Sequence, residues 1–75
     1  MSIDYNALLT TQQKRDILVA RLSQFASEAY QVTLNLATAE KLDSGEEQIE
    51  KIKNNLHLLE TAIEIHQQEL NSLQD

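Results

Sequence analysis

The chain has 75 residues, no cysteine, no proline and a single glycine, and it carries a net charge of −6. A domain this small buries only about 60% of its unfolded surface, and without cysteine it has neither a disulfide nor a thiolate–metal site to reinforce a thin core. The longest apolar run, residues 17–20, falls far short of the roughly 20 residues that cross a bilayer, and the N-terminus lacks the basic-then-apolar order of a signal peptide.

Ala, Leu, Glu, Gln, Lys and Ile dominate, and most of these are good helix formers. Residues 1–9 read as an N-terminal arm whose apolar content is Ile3, Tyr5, Leu8 and Leu9. Asp4 is placed to cap a single turn over residues 5–8. The arm is expected either to fold back on the open end of a helical hairpin formed by residues 10–75 or to serve as a docking peptide for a partner.

The first long helix is expected over about 11–42. Thr10 and Gln13 have capping-box spacing, in which the hydroxyl accepts the third helical amide and the glutamine reaches back. Along this segment Leu18, Leu22, Phe25, Ala29, Val32, Leu36 and Ala39 recur at alternating spacings of four and three, a heptad seam. Asp43, Ser44 and Gly45 break the pattern, and Gly45 alone here adopts a positive φ at little cost. Ser44 and Glu47 repeat the capping-box spacing, and Glu46, Glu47 and Glu50 suit the positive end of a helix dipole.

The second long helix is expected over about 45–73. Its seam is Ile49, Ile52, Leu56, Leu59, Ile63, His66, Leu70 and Leu73. Two seams across one short break predict an all-α, coiled-coil-like antiparallel hairpin occupying residues 10–75. Aligning them about the break pairs Ala39 with Ile49, Leu36 with Ile52, Val32 with Leu56, Ala29 with Leu59, Phe25 with Ile63, Leu22 with His66 and Leu18 with Leu70. Small residues then meet large ones, as an evenly filled core requires. A slip of one seam step sets Phe25 against Leu59 or His66 instead.

Each helix carries a second apolar stripe. On the first it is Val19, Ala26, Tyr30 and Ala37, with Ile17 and Leu34 further round; on the second it is Leu58, Ala62 and Ile65. In heptad terms the first lies on the e/b side and the second on the g/c side, so they fall on opposite flanks of an antiparallel pair. Contiguous exposed apolar surface marks an interface. The expected outcome is a homo-oligomer, most simply two hairpins in a four-helix bundle, with Val19, Ala26, Tyr30, Leu58, Ala62 and Ile65 as its contacts. Opposite flanks also permit a ring, or a groove for a foreign helix.

The charge is lopsided. Residues 1–42 balance four acids against four bases, whereas residues 43–75 hold eight acids and two bases. This disfavours phosphate backbones and anionic lipid, so neither nucleic acid nor membrane is expected as a partner. The basic side chains Arg15 and Arg21 are read as flank partners for second-helix acids such as Glu69. Glu60 and Glu64 are candidate contacts for a protein partner. His66, a polar residue on a seam, is read as partly exposed near the open end, with a register-marking or pH-sensing role as the alternative. His57 lies outside, within reach of Glu60 and Glu64. The Glu-x-x-His spacing of carboxylate-bridged metal bundles is absent, as are a nucleophile elbow and a glycine-rich phosphate loop. No catalytic, metal-binding or cofactor-binding set is expected, and the protein is read as a non-enzyme.

The opening IDYNALLTTQQKRDIL and the segment QFASEAYQ at residues 24–31 resemble short helical proteins of tailed bacteriophages, notably those of cyanobacteria. That resemblance covers roughly the first 35 residues. It implies a phage context, in which small helical proteins serve as virion accessory parts or redirect a host or defence protein. It transfers no functional residue. The expected location is cytoplasmic: the host cytoplasm, or the virion if the protein is phage-encoded. Two roles are expected on this basis: a structural or accessory subunit of a larger assembly, and a small inhibitor or adaptor.

Overall fold

A computed structural model describes residues 3–73. The first two residues of the arm, and Gln74 and Asp75 at the end of the expected hairpin domain, lie outside the described residues. In chain order the helices are α1 (Tyr5–Leu8), α2 (Thr11–Lys41) and α3 (Glu46–Ser72). The two long helices pack against each other as an antiparallel two-helix hairpin with no strand among the described residues. The molecule measures 50 × 27 × 15 Å. Its radius of gyration of 16.8 Å compares with about 11 Å for a compact domain of this length.

Local sequence fixes the start of α2. The Gln13 amide donates to Thr10 Oγ1 at 3.0 Å, and Gln13 Oε1 accepts from the Thr10 amide at 2.8 Å, a complete capping box. Before it, Asp4 Oδ1 accepts from the Ala7 amide at 3.4 Å and caps the single turn of α1.

The turn is built differently from the expected Ser44 capping box. Asp43 takes φ +53°, the Ser44 amide donates to Ala39 O at 3.0 Å, and the Asp43 amide donates to Glu40 O at 3.2 Å. These are the two reversed bonds of a Schellman motif, so Asp43 rather than Gly45 holds the left-handed position that ends α2. Gly45, at φ +96° and ψ 150°, is the residue before α3, and no side chain caps that helix. Ser44 is spent on terminating α2 and stands one position too early to cap α3. Glu46 and Glu47 in the first turn supply the negative charge that the amide end favours.

The seams face inward. Leu18, Val32 and Ala39 are buried, and every other seam residue of both helices is half-buried. Among the described residues no side chain is fully enclosed, because two helices alone cover a seam from one side only. The Phe25 and His66 rings meet in a T-shaped contact, with centroids 4.9 Å apart and planes at 70°. Side chains lean toward the N-terminus of their own helix. In an antiparallel pair Phe25 therefore leans toward the open end and His66 toward the turn, and the two meet one seam step beyond the aligned pair. His66 Nδ1 also lies within hydrogen-bonding distance of Ala62 O, at 2.6 Å, which holds the ring in place.

Candidate protein-interaction surface

The flanks of the hairpin are identified by the grooves that run along them. One is lined by Glu28, Val32, Asn35, Asn55 and Leu59; the other, nearer the turn, by Glu40, Ile49, Glu50 and Lys53. Ala62 lies seven residues beyond Asn55, and Leu58 and Ile65 adjoin these two on the helix surface, so the α3 stripe belongs to the first flank. Ala26 and Val19 lie two and three heptads before Glu40, so the α2 stripe belongs to the second.

Both stripes are open to solvent. Leu58 is 67% exposed, Ile65 58%, Tyr30 66% and Val19 53%. Ala26 is exposed as well, whereas Ala62 is half-buried at the rim of the seam. Apart from Leu42 at the end of α2, each flank is apolar on one helix only. Beside the α3 stripe, α2 presents Glu28, Gln31 and Asn35; beside the α2 stripe, α3 presents Lys53, His57, Glu60 and Glu64, all four exposed. Leu42, 72% exposed at the end of α2, adds apolar surface on the α3-stripe flank. Periodicity passed over it because it lies where the heptad pattern stops; its g position, three heptads after Arg21, is the signal that identifies it.

The arm projects. Ile3, Tyr5 and Leu8 are exposed, and only Leu9 is half-buried. Tyr5 and Leu9 border a shallow groove with Lys14, Ile17 and Glu69 at the open end, so the expected fold-back is limited to Leu9.

No family model, curated protein or solved structure matches this chain. The surface itself therefore carries the functional reading. No helix among the described residues is long and apolar enough to cross a membrane, and no three His, Cys, Asp or Glu side chains among them gather to hold a metal ion.

Two basic side chains of α2 make contacts near the open half of the hairpin. Arg15 Nη2 donates to the Leu73 carbonyl at 3.4 Å, bringing a cation to the negative end of α3, which has no basic residue in its own last turn. The Arg21 guanidinium lies 5.6 Å from the Phe25 ring centroid, in cation–π range. Arg21, Phe25 and His66 thus form a ladder that ties the open half of the hairpin together. Glu69 accepts from the Ser72 hydroxyl at 3.5 Å.

Proposed function

We propose that this protein is a non-catalytic hairpin that self-associates and serves as a structural or accessory subunit of a larger assembly. One observation carries the reading: Val19, Tyr30, Leu58 and Ile65, four large side chains each more than half exposed, lie with exposed Ala26 on two apolar stripes that one hairpin leaves open. Fully burying a Leu or Ile is worth about 1.5–3 kcal/mol, so such stripes are strong enough to drive association. The resemblance of the opening segment to phage proteins supports a phage assembly, in the host cytoplasm or on the virion, as the setting.

A second reading is supported by the acidic ridge of Glu60 and Glu64, exposed beside the α2 stripe. In it the hairpin is an inhibitor or adaptor that docks on a host or defence protein. Charge separates the two. Replacing Leu58 or Ile65 with Asp abolishes self-association and function together if the structural reading holds. Reversing Glu60 and Glu64 to Lys abolishes partner binding and leaves the oligomer intact if the inhibitor reading holds.

A further inference from the structure

We infer that the hairpin opens at its turn and exchanges α3 with a second copy, giving a swapped dimer in which each α2 seam is filled by the other chain. This goes beyond the self-association reading, because it uses the inner seams and leaves the outer stripes untouched.

The turn is where the closed hairpin is held least. Asp43, at φ +53°, is a side-chain-bearing residue in the left-handed region, where its Cβ crowds the following carbonyl, and Gly45 follows at φ +96°. Residues 40–48 are all exposed, and a Cβ built on Gly45 meets nothing within 4 Å. The turn amides bond back to α2, Ser44 to Ala39 and Asp43 to Glu40, and no side chain caps α3. Packing around the turn therefore does not hold it shut; the seam beyond it does. Short hinges under strain invite exchange of an element between copies.

The seam identifies the occupant. Among the described residues α2 and α3 are the only helices that pack together. The contacts that close the hairpin join these two: Phe25 with His66, and Arg15 with the Leu73 carbonyl. A second copy offers the same α3 with the same residues at the same spacing. Exchange restores every one of these contacts and gives up only the strained turn. Relief of the turn then opposes the entropy lost when two chains become one particle, so concentration controls the outcome.

Spacing sets the form of the hinge. Ile49 stands ten residues after Ala39, whereas an unbroken heptad pattern puts that seam position at eleven. On one continuous helix the missing residue turns the second seam away by about 100°. The opened chain is therefore two helices joined by an extended hinge over residues 42–45, and the dimer is two complete seams laid end to end.

The chain has no cysteine, so Ala20→Cys and Gln67→Cys, both at exposed positions, provide two sites for spin labels. Doubly labelled chains are mixed with an excess of unlabelled chain, unfolded by heat and cooled, so that each distance read by electron paramagnetic resonance lies within one chain. In the closed hairpin the labels sit on adjacent helices, roughly 20 Å apart. In the opened chain the two helical runs between them lie end to end and separate them by about 60 Å. A long-distance population that grows with concentration is expected. Gly45→Ala, which strains the closed turn alone, is expected to raise the dimerisation constant at least about tenfold, because both turns count in each dimer. Asp43→Gly, which relaxes the closed turn, is expected to lower it by about tenfold. The double variant Tyr30→Asp, Leu58→Asp is expected to keep the long distance, since the stripes take no part. A short distance alone in every sample, Gly45→Ala at the highest concentration included, overturns the exchange and leaves stripe-driven association standing. A long distance that vanishes in the double variant also overturns it, because opening would then depend on the stripes.

Discussion

The inner seam and the outer stripes are built from similar apolar residues at helical spacing, yet one set is covered and the other is largely open. Leu18 and Leu58 are both leucines on heptad positions; the first is 8% exposed and the second 67%. Being a leucine at helical spacing therefore does not by itself place a residue in the core. What decides it is the presence of a partner ridge at the right height on the other helix of the same chain. The seam has one and the stripes do not, so the stripes are where a second chain has something to gain.

The largest expected effect contrasts the two sets directly. At a concentration where the chain is single by light scattering, Leu18→Ala is expected to cost about 2–3 kcal/mol in urea unfolding, whereas Leu58→Ala costs less than about 0.5 kcal/mol. Equal costs would erase the distinction. Next comes the turn that brings the seams together. Gly45→Ala is expected to cost about 1–3 kcal/mol, from backbone strain alone, since nothing lies within 4 Å of the added Cβ. D-alanine at the same position, which favours positive φ, is expected to be close to neutral.

Smaller effects concern the helix ends. Thr10→Ala is expected to lower stability by about 1 kcal/mol, while Ser44→Ala changes it little, because only Thr10 caps a long helix through its side chain. A Ser44 variant as damaging as the Thr10 variant would restore the capping box that the turn geometry replaces. Asp43→Gly is expected to stabilise the hairpin by up to about 1 kcal/mol by relieving the left-handed position. Thermal or urea unfolding resolves all three.

Much of this architecture is legible in the residues. The alternating spacing of four and three marks which face of each helix is inward, and Gly45 with Asp43 marks the reversal. The stripes are legible too, as apolar positions left over once the seams are assigned. Three details are not. A heptad pattern fixes a face but not a step, so Phe25 and His66 meet through the opposite lean of their side chains, which spacing does not record. The Ser-x-x-Glu pattern at Ser44 competes with helix termination for the same residues, and termination wins because the Ser44 amide reaches Ala39. The hydrogen bond from Arg15 to the Leu73 carbonyl is the third: it depends on where the end of α3 stands beside α2, which a residue pattern does not record.

Self-association through apolar stripes on a chain of charge −6 has a distinct dependence on salt. Like charges repel, and screening them strengthens the contact, whereas a complex held by the acidic ridge weakens as salt rises. The most direct measurement is absolute mass by light scattering behind a sizing column, over about a hundredfold range of concentration at low and high salt. The account predicts masses above that of one chain, rising with concentration and rising further with salt. A mass fixed at 8.5 kDa under all these conditions would contradict it, and would mean that the stripes are covered by a protein of another kind.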